Sequence, residues 1–148
     1  MPILHQLILA SGMVAMTVIM HLAGLALLLA LLRQHHRPSP RKTRLLADLG
    51  AVLAAAFGLF LLHTIEIWAW ASAYWLLDLL GSWEEAIYFS TTTYVTIGYG
   101  DVVLSRGGRL FGAIEGANGI ILLGWSTAFF FNIVDRLKLL EREIEHRD

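Results

Sequence analysis

The sequence predicts an all-α membrane protein with three spanning helices and one short helix that enters the bilayer without crossing it. Three observations carry this. The 148 residues are 57% hydrophobic, and the mean hydropathy is +0.63. Three apolar stretches, at about 3–32, 45–80 and 110–134, each exceed the ~20 residues a helix needs to span a bilayer. Between the last two lies "GSWEEAIYFSTTTYVTIGYGD", too polar and too glycine-broken to cross.

The first stretch is too long for a signal-peptide core and has no basic segment before it, so it reads as a retained membrane helix over 1–32. Residues 33–44 follow as a basic linker, with Arg33, Arg37, Arg41, Lys42 and Arg44. Pro38 and Pro40 keep it from being helical. His35 and His36 within it are either a metal or headgroup site or part of a solvated basic segment. The second apolar stretch predicts an outer helix over 45–80, and the third an inner helix over 108–134. After the third stretch come Arg136, Lys138, Arg142 and Arg147. Nine of the eleven Lys and Arg thus sit in the linker or the tail, which puts both in the cytoplasm. The N-terminus and residues 79–109 then face outside, in what is expected to be the plasma (inner) membrane. Trp68, Trp70, Tyr74, Trp75 and Trp83 read as an aromatic belt at the outer interface.

The segment before the inner helix is the most informative. After Gly81, Ser82 fits an N-cap with Glu85 three residues on. Residues 83–95 then predict a helix of three to four turns, too short to span. Chain that returns from such a helix must be buried in protein or line a water-filled path, because lipid cannot satisfy its backbone. In "TIGYGD" the glycines at 98 and 100 alternate with Ile97 and Tyr99. Glycine accepts left-handed backbone, and alternating hands along a strand turn successive carbonyls the same way. Such a row of oxygens suits a dehydrated cation, and Thr96 adds a hydroxyl. One strand supplies too few oxygens; several copies around an axis supply enough.

These residues resemble the potassium-channel selectivity filter, and residues 83–134 resemble the bacterial potassium-channel pore module of the ion-channel-2 type. The resemblance implies a potassium-channel-like pore with one extra N-terminal transmembrane helix. It implies a homotetramer, with K+ as permeant ion held at Thr96, Ile97, Gly98 and Tyr99 in a filter running through Gly100. It places Asp101, Tyr88 and Thr92 as filter support, with a Tyr88–Asp101 hydrogen bond. Ile97 stands where Val is commoner, Val95 where many members have Thr, and Thr92 where some have Glu.

Gly119 matches the glycine at which the family's inner helix bends, although glycines at four-residue spacing also pack helices closely. On its face lie Ile120, Leu123, Thr127 and Phe131, three and four apart. Facing the axis, Thr127 wets the cavity and Phe131 narrows the inner mouth. The alternative places the 129–131 aromatic run against lipid. Leading into the tail, 135–148, Ile133, Leu137, Leu140 and Ile144 lie on one face, which fits either a four-chain bundle or a helix on the membrane surface.

His63, Glu66 and Glu115 are ionisable groups inside spanning stretches, where such groups face protein. Glu115 is expected to brace the pore helix through Thr92 or Thr93, or to pair with His63. His63 either senses pH or belongs to a structural cluster. His5 and His21 show no partners in the sequence.

No cysteine is available for disulfide or thiolate chemistry, and a net charge of −1 offers nucleic acid no basic surface. No nucleophile, metal-spacing or phosphate-loop motif appears, so neither an enzyme nor a cofactor is expected. No helix carries the repeated arginines of a voltage sensor. The function expected is a potassium-selective channel. A weakly selective cation channel of the same fold and a non-conducting membrane subunit are the alternatives.

Overall fold

The computed structural model describes residues 1–35 and 41–137. Four helices follow in order: α1 (Ile3–His35), α2 (Arg41–Leu76), α3 (Trp83–Tyr94) and α4 (Arg109–Leu137). α1, α2 and α4 each contain a segment long and apolar enough to cross a membrane, Ile3–Arg33, Leu46–Leu76 and Arg109–Asp135. The architecture is all-α, with one helix before the two that flank α3.

Several boundaries differ from those read in the sequence. The flanks of the expected linker, 33–35 and 41–44, are helical. Pro38, Pro40 and most of the tail lie outside the described residues. The outer helix stops at Leu76 rather than continuing to 80, because Asp78 adopts a left-handed φ of 53°. The Asp78 N–H then bonds Trp75 O, and the Leu79 N–H reaches back to Tyr74 O. This pair of bonds is a Schellman ending, with aspartate in the position glycine usually takes.

α3 starts where its capping residues dictate. Ser82 Oγ accepts the Glu85 N–H at 3.1 Å, and the Glu85 carboxylate accepts the Gly81 N–H at 3.1 Å. The carboxylate thus serves the residue before the cap instead of the cap itself. Both bonds satisfy donors that a helix start leaves open. Twelve residues give α3 a length of about 18 Å.

The upper core joins all four helices. Ala10 of α1, Trp70 and Tyr74 of α2, Ala86 and Tyr94 of α3, and Phe111 and Leu122 of α4 are buried in one cluster. Trp70 and Tyr74 therefore leave the expected aromatic belt, since both are fully buried. They pack on Phe111 with ring centroids 5.0 and 5.3 Å away. Trp68, Trp75 and Trp83 stay exposed on the single chain. A smaller cluster below holds Ala55 and Ile133, with Phe129, Phe130, Leu29 and Leu32 against it.

α1 packs on α2 and α4 through a single stripe. Gln6, Ala10, Thr17 and His21 are its buried residues, at spacings that keep one face. The polar ones all find partners across the interface. Gln6 Oε1 accepts the Leu110 N–H, Asn118 Nδ2 donates to Thr17 Oγ1 at 2.9 Å, and His21 Nδ1 meets Glu66 Oε1 at 2.9 Å.

Candidate functional site

The chain leaving α3 alternates in hand. Thr96, Gly98 and Gly100 have φ of 63°, 54° and 79°. No other described non-glycine residue except Asp78 has positive φ, so Ile97 and Tyr99 between them do not share it. The two glycines adopt this conformation freely. Thr96 does not, since a β-branched residue at positive φ is strained, and its neighbours must hold it.

The end of α3 supplies that hold. Val95 caps the helix with φ −86° and ψ 9°. Its N–H bonds Thr91 O, the Thr96 N–H bonds Thr93 O, and the Gly98 N–H bonds Thr92 O at 3.0 Å. Two C-terminal carbonyls of α3 are thereby spent on the strand that follows, and a third on the cap. Thr92 meets the strand through its backbone carbonyl, because its hydroxyl turns back to Phe89 O. Val95 contributes packing against the buried cluster.

Farther out, Tyr88 Oη donates to Asp101 Oδ2 at 2.6 Å. Asp101 Oδ1 accepts the Val102 N–H at 3.1 Å. The hydrogen bond from Tyr88 holds the Asp101 carboxyl below the usual carboxylate range and raises the Tyr88 phenol above its own. Ile97 and Tyr99 are 52% and 71% exposed on the single chain.

Behind α3 stand two buried carboxylates. Glu115 is fully buried and accepts Tyr74 Oη and Ser90 Oγ, each at 2.5 Å. It thus reaches α3 through Ser90, not through Thr92 or Thr93, and it does not pair with His63. The register explains this. Ser90 is buried on the α4-facing side, while the Thr92 hydroxyl is used within its own helix. Glu66, also fully buried, accepts Tyr94 Oη at 2.5 Å and meets His63 Nδ1 and His21 Nδ1 at 2.9 Å. His21 therefore has a partner, contrary to the reading of the sequence. Ser90, Tyr94, Ser126 and His21 were missed because partners on different helices leave no spacing pattern.

α4 lays its glycines on α3. A Cβ at Gly119 would collide with the Tyr94 carbonyl oxygen. One at Gly116 would sit 3.4 Å from Thr93 O. Close packing is thus a structural demand at Gly119. Ile120, Thr127 and Phe131 share an exposed face, with Phe131 68% exposed. Leu123 departs from that face, being half-buried against the core. Phe129 and Phe130 pack on the lower cluster, which separates them from Phe131.

A helix–short helix–alternating strand–helix unit of this kind defines a pore-loop membrane protein. The family model described as "Ion channel", of the ion-channel-2 type, matches residues 49–136. The chain belongs to that family, as an integral membrane protein with a pore module and an additional N-terminal helix. No curated protein and no solved structure gives a significant match.

Proposed function

We propose that the chain is a potassium-selective channel that conducts K+ passively through a homotetrameric pore. The observation that carries this reading is the left-handed φ at every second residue from Thr96 to Gly100. With φ alternating in sign, the carbonyls of Thr96, Ile97, Gly98 and Tyr99 form one row, joined by the Thr96 hydroxyl. Four such rows around an axis replace a hydration shell with oxygen dipoles. A single chain supplies only one row. The exposed Ile97 and Tyr99 side chains are surfaces that other copies would cover, and the exposed Ile120–Thr127–Phe131 face is one that four copies would enclose around the axis.

The partial negative charge at the α3 C-terminus favours a cation at the inner end of the filter. Asp78, Glu84, Glu85 and Asp101 concentrate cations at the outer mouth. Thr127 wets the cavity, and a ring of Phe131 side chains closes the inner mouth by dewetting. The asymmetry of Lys and Arg orients the protein in a plasma (inner) membrane with the N-terminus outside and residues 33–44 and the C-terminus in the cytoplasm. No catalytic group or cofactor enters this function.

The test is flux into liposomes holding purified tetramer. A potassium gradient should drive cation uptake, while an equal sodium gradient should drive little. Similar fluxes would make the protein a weakly selective cation channel. No flux from a folded tetramer would make it a non-conducting subunit.

A further inference from the structure

The cluster around Glu66 has no part in the ion path above, yet it draws one residue from the extra helix and two from the pore module. One ring nitrogen of His21, one of His63 and a carboxylate oxygen of Glu66 all lie within 4.8 Å of one another. Tyr94 Oη stands beside them, 2.5 Å from Glu66 Oε2 and 3.1 Å from His63 Nδ1. His21 and Glu66 have no exposed side-chain surface, and His63 has 12%. Among the described residues, the ion pairs to Glu66 come from these two imidazoles alone.

A carboxylate buried this way needs a positive centre beside it. A proton shared with one imidazole is the simplest such centre. It serves one contact and leaves the other as an ordinary neutral hydrogen bond. A divalent metal ion serves both contacts at once. His63 is oriented for this role, because Nε2 lies 2.8 Å from Ser126 Oγ. An Nε2–H donated to that oxygen leaves the Nδ1 lone pair directed at the cluster, the usual way a ligating histidine is fixed.

We infer that His21, His63 and Glu66 form a binding site for a divalent transition-metal ion of the Zn2+ type, with Tyr94 Oη at the fourth position, which clamps α1 to the pore module. Two imidazoles and an oxygen donor are a ligand set for zinc. Metal–ligand bonds of about 2.0–2.2 Å place tetrahedral ligand atoms roughly 3.4 Å apart. The present 2.9 Å contacts run to the two different oxygens of Glu66, so the carboxylate would turn to present its oxygens to one ion while each contact opens by about half an ångström. The partly exposed edge of His63 gives the ion an entry path.

The experiment uses the full chain, purified in detergent, stripped with chelator and titrated with Zn2+ or Co2+. The expected result is one ion per chain, a raised thermal midpoint, and an X-ray absorption spectrum with two imidazole nitrogens around the metal. His21→Gln and Glu66→Gln should each weaken binding by at least about 100-fold. Ser126→Ala should weaken it about 10-fold, because it only orients a ligand. No stoichiometric binding to folded wild-type chain would overturn the site and leave the cluster to a proton. Binding that both Gln variants retain, or an absorption spectrum without two imidazoles, would also overturn it. The wild-type spectrum decides even if a variant fails to fold, and none of these readouts needs ion flux.

Discussion

At the scale of single residues, backbone hand and two buried carboxylates dominate. Gly98 at φ 54° accepts no side chain without strain. Gly98→Ala should cost roughly 1–2 kcal/mol in each chain and abolish selective flux, read by comparing potassium and sodium uptake in liposomes. The Tyr88–Asp101 pair sets a pH expectation. The folded Asp101 pKa lies below its usual 3.8, so its contribution is complete above that value and lost only as pH falls through the lower, folded one. The folded Tyr88 pKa lies above its usual 10.0, so its contribution holds below that value and is lost only at more alkaline pH. This pair should therefore make filter stability flat from about pH 5 to 9. Tyr88→Phe should return the Asp101 pKa toward its usual value, measured by carboxylate NMR, and speed the decay of flux. The glycines of this segment were legible because they break an apolar context in a fixed alternation. The strained Thr96 was not, since threonine carries no mark of left-handed backbone; only the bonds from the end of α3 impose it.

At the scale of elements, α3 is held by polar contacts on one side and by glycine packing on another. Glu115→Ala would orphan the buried Tyr74 hydroxyl, at about 1–3 kcal/mol, while the Ser90 hydroxyl keeps Ile67 O as acceptor, and should lower the thermal midpoint of the detergent-solubilised protein. Glu115→Gln, which keeps an acceptor, should lose less. Gly119→Ala drives a Cβ into the Tyr94 carbonyl; because the obstacle is backbone, the variant should be destabilised and its filter displaced. A circular-dichroism melt paired with flux checks both effects, and an unchanged melt would contradict the packing role. The helices themselves were legible from length and hydropathy. The early stop of α2 at Leu76 was not, because it rests on a left-handed aspartate. The burial of Trp70 and Tyr74 was hidden too, because an interface tryptophan and a core tryptophan read alike until the neighbouring helix is placed.

At the scale of the whole molecule, the helix preceding the pore module is joined to it at Gln6, Thr17 and His21. Sequence reasoning supplied no partners for His21 of this helix, because each such contact spans 45 to 104 residues of chain and no local pattern encodes it. Those contacts predict that α1 stays with the pore module when the protein is solubilised. The surfaces left open, along the filter and the Ile120–Thr127–Phe131 face of α4, predict a tetramer by size measurement in detergent. The central claim is selective conduction by the Thr96–Gly100 strand. It is tested most directly by the reversal potential of purified wild-type channels in a planar bilayer, with potassium chloride on one side and sodium chloride on the other. Selective conduction predicts a reversal far from zero, of the sign that potassium permeation sets, and a reversal near zero would contradict it.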